Sequence, residues 1–146
     1  MRPLKSARIY LAELDVHFPE LTVQHTLSFA AGARSTASLY LADAATSLFA
    51  LDEARNTQIG DAMIRGVSGG EKRRTSLAEA FLGGAPLQCW DNSTRGLDSS
   101  TALRFVRLLR GATDARGSAV AMSMYQASEA MYEVRMLQVQ VCLDLR

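Results

Sequence analysis

Cysteine is nearly absent from this chain: Cys89 and Cys142 stand alone in 146 residues, far apart and without a CxxC spacing. That excludes a disulfide framework or a cysteine zinc site, and suits a reducing compartment. Long apolar runs are missing as well. None approaches the roughly 18 residues a membrane span needs, and the opening MRPLKSARIY lacks the apolar centre of a secretion signal. No charge of one sign is in excess. Sixteen basic against 15 acidic residues leave +1, which gives no field to attract nucleic acid or an anionic membrane. No glycine is followed by lysine, so the GxxxxGK[ST] loop that cradles the α- and β-phosphates of a nucleotide is missing. His17 and His25 stand in no ligand-spaced cluster and read as structural. What remains is a cytosolic-type chain, with room for one domain at most and the 48% hydrophobic content of a packed core.

The residues present fall into two textures. RIYLAELDVHF, with Ile9, Leu11 and Val16, predicts a short strand entering a loop closed by Pro19. Thr22 is placed to cap a helix over VQHTLSFAAGA, with Val23, Leu27 and Ala30 on one face. TASLYLADAATSLFAL predicts a second helix, with Leu41, Ala45, Leu48 and Leu51 at three- and four-residue steps. DEARNTQIGDAMIRG is turn-rich, a loop with room for one short helix. From Gly66 the rhythm changes. EKRRTSLAEAFLG predicts a helix ending at Gly83-Gly84, PLQCWD a buried strand and NSTRGLDSS a loop. TALRFVRLLRG predicts an amphipathic helix, with Leu103, Val106 and Leu109 opposite Arg104, Arg107 and Arg110. SAVAMSMY is a second strand, ASEAMYE a short helix, and VRMLQVQVCLDLR alternates weakly, as an edge strand would. The expectation is an α/β fold: a mostly helical first part followed by a parallel-sheet layer.

Three stretches carry chemistry. VSGGE opens a helix with two glycines that let backbone approach a ligand, with free N–H groups aimed at the same spot and the Ser68 hydroxyl beside them. Alone, SGG is an ordinary serine cap. PLQCWDN puts Asp91 at the carboxyl end of a strand, where it can hold magnesium through water; an Asp-Asn turn is the plainer reading. Asn92 cannot take a proton, so base assistance to an attacking water, ordinarily worth about 10²–10⁴-fold, is lost. In NSTRGLDSS, Asn92-Ser93-Thr94 fits a glycosylation sequon, which carries little without a secretion signal, and Ser99 or Ser100 is expected to cap the next helix. The basic EKRR run reads as a solvated face rather than a nucleic-acid patch.

Taken together, VSGGE, LQCWDN and STRGLDS resemble the signature motif, Walker B strand and D-loop of ATP-binding-cassette nucleotide-binding domains. DVHFPELTV, RNTQIGD, IRGVSGGEKRRTSLAEAFLGGAPLQCWDNSTRGLDSSTALRF and YQASEAMYE are similar to the first, degenerate nucleotide-binding domain of fungal pleiotropic-drug-resistance transporters, from about Tyr10 to Glu133. The resemblance implies a partial cassette domain over 1–146: a Q-loop region to about residue 20, a helical subdomain over 21–66, signature to switch over 67–133 and a divergent tail over 134–146.

In that family two domains pair head to tail around two ATP molecules, each site taking its P-loop and Walker B from one domain and its signature from the other. The resemblance then assigns Val67, Ser68, Gly69, Gly70 and Glu71 to ATP held by a partner domain. Asp91 (Mg²⁺ through water) and Asn92 fall to the other site, with Gly96, Leu97 and Asp98 as D-loop. Three positions are degenerate: Glu13 for the Q-loop glutamine, Asn92 for the catalytic glutamate, Tyr125 for the switch histidine. The implied function is part of a multidrug efflux transporter. Its cofactors are ATP and Mg²⁺, its partners a second nucleotide-binding domain and membrane domains, and its place the cytoplasmic face of a membrane. No nucleic-acid partner is implied. The P-loop strand lies upstream in the family, and the residues after Glu133 leave its pattern, which reads as a fragment, an altered frame or a decayed copy. The isolated chain is therefore expected to be soluble, to bind ATP weakly and not to hydrolyse it. A soluble cassette ATPase acting on nucleic acid or ribosomes, and an inactive remnant, stay open as alternatives.

Overall fold

β1 (Arg8–Leu11), β2 (Leu87–Trp90) and β3 (Ala119–Met122) form a parallel sheet in that spatial order. Arg8 lies opposite Leu87 and Leu11 opposite Trp90; on the other side Leu87 pairs with Ala119 and Trp90 with Met122. The computed structural model describes residues 8–33, 38–125 and 127–134. All of the predicted edge strand after Val134, with Cys142, and also Gln126 lie outside those residues. Between β1 and β2 the chain builds three helices, α1 (Val23–Gly32), α2 (Ser38–Leu48) and α3 (Gly69–Gly83). α4 (Ser99–Arg116) joins β2 to β3, and α5 (Glu129–Glu133) follows. The α/β expectation with a parallel sheet holds.

One apolar cluster runs through the helical layer onto the sheet. Leu27, Phe49, Leu77 and Phe81 meet Trp90, Phe105 and Leu109. Phe49 packs edge-on to Phe81 with centroids 5.8 Å apart, and Trp90 edge-on to Phe105 at 5.4 Å, a geometry that suits the ring quadrupoles. On β2, Gln88 and Trp90 face this core, and the indole N–H donates to Gln88 Oε1 at 3.2 Å. Tyr10 and Leu87 lie on the opposite face of the sheet, and both are exposed. The expected buried strand is thus covered on one side among the described residues.

Helix ends follow local chemistry, with two corrections. Thr22 caps α1 by accepting from the His25 amide at 3.1 Å, and Gly84, left-handed at φ 55°, ends α3. The cap of α4 is Asp98, whose carboxylate accepts from the Ser100 and Thr101 amides, not Ser99 or Ser100. Ser99 and Ser100 already lie inside the first turn, whereas Asp98 stands at its edge with extended backbone (φ −67°, ψ 157°), where one carboxylate oxygen reaches both amides. No helix forms over 52–66, a run of turns.

Core faces are rotated from expectation. α1 buries Ala31 rather than Ala30; α2 buries the expected Ala45 with Ala42, and Phe49 and the expected Leu51 are buried just beyond its end, while Leu41 and Leu48 stay 39% and 40% exposed. Small residues let α1 and α2 approach closely, which puts the alanine stripe inward. α4 buries Ala102 and Phe105 beside Val106 and Leu109, with Leu103 only partly covered. No described helix is long and apolar enough to cross a membrane.

Candidate nucleotide site

The predicted signature turn is a capping box. Ser68 Oγ accepts from the Glu71 amide at 3.3 Å, and the Glu71 carboxylate accepts from the Ser68 amide and hydroxyl, each at 2.7 Å. Those bonds, the hydroxyl first, hold the Glu71 carboxyl below its usual pKa. The amides of Gly69 and Gly70 have no acceptor among the described residues. A Cβ on Gly69 would meet nothing within 4 Å, and one on Gly70 only Gly96 O at 3.9 Å. The helix start is therefore an open cradle with two free donors. Ser68 gives its one hydroxyl proton to Glu71, so an anion arriving there would compete with Glu71 for it. Val67 is held back by its amide, which donates to Gln58 O at 3.0 Å.

Asp91 ends β2. Its Oδ1 accepts from the Ser123 hydroxyl at 2.7 Å and its Oδ2 from the Tyr10 hydroxyl at 3.0 Å. Ser123 first, then Tyr10, keeps the carboxyl below its ordinary pKa, while the hydrogen bond to Asp91, and after it that carboxylate's charge, pushes the Tyr10 phenol up. Asn92 follows with a left-handed φ of 43°, a conformation asparagine tolerates better than most side chains. Its Nδ2 donates to Glu13 Oε1 at 3.2 Å, and Glu13 also forms an ion pair with Arg95. Glu13, Asn92 and Tyr125 line one open cleft of about 390 Å³ with Thr94, Arg95 and Gly96. All three positions predicted to be degenerate meet there. None of Val67–Glu71 lines it.

Beneath the cleft lies Arg73, 3% exposed. Nε donates to Ser93 O at 3.3 Å; Nη1 to Ala12 O, Glu13 O and Asp15 Oδ1 at 3.3, 3.1 and 2.9 Å; Nη2 to Asp91 O and Asn92 O at 3.3 and 3.1 Å. This corrects the solvated-face reading of EKRR. The helical period holds the missed signal, since Arg73, Leu77 and Phe81 fall four residues apart on the buried side of α3. Lys72, whose Nζ donates to Gly60 O at 3.1 Å, braces the loop before the signature. Tyr10, Ser123 and Arg95 were also missed, because each acts across the sheet or between loops. Leu97 packs partly against the core and Asp98 is the α4 cap, so this end of the D-loop stretch has a structural role of its own.

The sequence profile of the ABC transporter family matches residues 2–95. The chain belongs to the ABC transporter family. It is 50% identical over 137 residues to ABC multidrug transporter A-2 of Aspergillus fumigatus, an alignment that covers 86% of this chain and 9% of the relative. ABC multidrug transporter C of the same organism is 46% identical over 144 residues, 91% of this chain and 10% of that protein. ABC-type transporter eriD of Hericium erinaceus is 48% identical over 137 residues, again 86% and 9%. The chain thus spans about a tenth of the length of these relatives. A bacterial Atm1-family ABC exporter with ATP bound superposes with a TM-score of 0.66 at 22% identity, over 84% of this chain and 22% of the exporter, which establishes the shared fold.

The residues fit the family's nucleotide and cation. The Gly69–Gly70 cradle has the space and the free donors a phosphate needs. Each Asp91 oxygen accepts one hydrogen bond and keeps a lone pair for a water on Mg²⁺. Among the described residues no group of three His, Cys, Asp or Glu could chelate a bare ion.

Proposed function

We propose that this chain forms part of the nucleotide-binding domain of a multidrug efflux transporter, on the cytoplasmic side of a membrane, and serves two different ATP sites. Ser68, Gly69 and Gly70 reach the triphosphate of an ATP whose P-loop belongs to a second domain. Asp91, through water on Mg²⁺, belongs to a second site, where Asn92 supplies an amide that accepts no proton and turnover is lost. One observation carries this reading: Glu13, Asn92 and Tyr125 share a cleft that none of the signature residues lines. Gly96 stands between the two: it lines the cleft, and its carbonyl would lie 3.9 Å from a Cβ on Gly70.

A fluorescent ATP analogue tests it. The 146-residue chain alone should bind weakly, and micromolar affinity would overturn the need for a partner's P-loop. Adding a second nucleotide-binding domain with an intact GxxxxGK[ST] loop should give Mg-ATP-dependent association. Ser68→Arg should abolish that association by filling the cradle, whereas Asn92→Glu should bring no hydrolysis to the lone chain. Crosslinks from residues 68–70 and from Asp91 to one and the same ATP, on a single chain, would sink the division into two sites.

A further inference from the structure

We propose that Arg73 is the positioning residue of the cleft: its buried guanidinium holds the backbones of Glu13 and Asn92 in register, so that their side chains meet on the cleft side. Two hydrogen bonds define the clamp. Nη1 donates to Glu13 O at 3.1 Å and Nη2 to Asn92 O at 3.1 Å, while across the same two residues Asn92 Nδ2 donates to Glu13 Oε1 at 3.2 Å. Glu13 and Asn92 are far apart in sequence, and each lies two residues beyond the last paired residues of β1 and β2, Leu11 and Trp90; past the Asp91 amide's bond to Leu11 O at 2.9 Å the strand ladder no longer fixes their separation. A planar fork with donors on both arms spans the gap; a point charge does not. The Asp15 carboxylate at 2.9 Å neutralises the buried cation and ties the far end of the same loop.

The clamp also joins the two sites. Arg73 stands on α3, five residues after Ser68, and α3 is the helix whose start forms the open cradle. Farther along α3, Ser76 Oγ lies 2.7 Å from His17 Nε2, so the loop after β1 is stitched to this helix at a second point. A shift of α3 on gripping a phosphate at its start is therefore passed directly to Glu13 and Asn92. This last step rests on the proposed nucleotide reading; the clamp itself does not.

Amide hydrogen exchange and limited proteolysis on the full chain test the clamp. Arg73→Met keeps the apolar stem and removes every donor. Limited proteolysis within 12–17, whose amides make no hydrogen bond among the described residues, and exchange over 91–95 should speed up together, each by about tenfold, the least expected from losing a hydrogen bond to a charged group, while exchange over 102–109 on α4 stays as before. Uniform acceleration that includes α4, or no change in the two loops, overturns the proposal. Arg73→Lys is the second arm, and carries the test alone if the methionine variant does not fold. Its single ammonium should protect one loop and release the other, and protection of both overturns the need for a fork. Mg-ATP-dependent association with a P-loop-bearing second domain is the third arm. Arg73→Met should weaken it about tenfold, and undiminished association overturns the link to the cradle. If the unaltered chain shows no association, the nucleotide reading fails and the exchange and proteolysis data alone decide the clamp.

Discussion

The side-chain amide of Asn92 donates to the carboxylate of Glu13 at 3.2 Å. In the degenerate pattern the resemblance implies, an amide has replaced the carboxylate at the strand end and a carboxylate has replaced the amide in the loop. In this chain the amide and the carboxylate match as donor and acceptor. Asn92 also occupies a left-handed conformation, which costs a longer side chain more.

The two positions should therefore be coupled. Asn92→Glu alone sets two carboxylates side by side and strains the backbone, and should destabilise the chain by about 1–3 kcal/mol. Adding Glu13→Gln should recover at least half of that loss. A double-mutant cycle on urea midpoints measures it, and additive losses would show that the two side chains do not sense each other.

His17 gives a pH dependence of definite sign. Its ring lies 2.7 Å from Ser76 Oγ and 3.5 Å from the Glu79 carboxylate. An ion pair would raise the histidine and lower the glutamate. Burial outweighs it: desolvation moves His17 below its ordinary pKa, with Asp15 opposing and Lys72 assisting, and moves Glu79 above its own. The folded state thus binds a proton at His17 less readily than the unfolded chain. Its contribution is complete above the unfolded value near 6.5, and is lost as pH falls through the folded pKa. His17→Gln should flatten the melting temperature between about pH 5 and 7. An unchanged slope there would place the titration elsewhere.

The acid limb should belong to Asp98 more than to any other carboxylate. Hydrogen bonds from Ser100, then Thr101, depress its pKa far below the usual range. A depressed acid stabilises fully above its unfolded value, about 3.9, and loses that contribution as pH falls toward the folded one. Asn caps a helix about as well as Asp, so Asp98→Asn should melt close to the unaltered chain at neutral pH and resist acid with a shallower slope below about pH 4. Circular dichroism melts at stepped pH would show it, and parallel acid limbs would refute it.

Much of this fold could be read directly because its punctuation is local. Thr22, Ser68 and Gly84 act within a few residues, and their helices begin and end at or near the predicted points. Core facing was read less well. α1 and α2 turn alanines inward because close helix approach, a tertiary matter, outranks the size of Leu41 and Leu48. Glu13, Asn92 and Tyr125, singled out from the sequence, do share a cleft. Arg73 was not, because arginine is rarely buried without partners, and its acceptors come from two loops far apart in the chain. Ser123 and Tyr10 escaped for the same reason: each meets Asp91 from a neighbouring strand end, a relation only the sheet register creates.

The loop before the signature makes a final prediction possible. A Cβ on Gly66 would stand 2.3 Å from Ile59 O and 2.6 Å from Gln58 O, both backbone atoms. Neither can swing aside as a side chain does, because the segment is pinned on both flanks. The Ile59 amide donates to Leu21 O at 2.9 Å, and the Val67 amide to Gln58 O at 3.0 Å. Gly66→Ala must break one of these, and the nearer is the bond that seats Val67 ahead of Ser68. The expected cost is about 3 kcal/mol, at the upper end of ordinary single substitutions. Gly69→Ala is the matched control. Its Cβ would meet nothing within 4 Å, so stability should change little, while the added methyl stands where the phosphate is proposed to sit. Stability and Mg-ATP-dependent association should therefore separate: Gly66→Ala lowers the melt, and Gly69→Ala leaves the melt and loses the association. If Gly69→Ala associates as well as the unaltered chain, the cradle does not receive a phosphate.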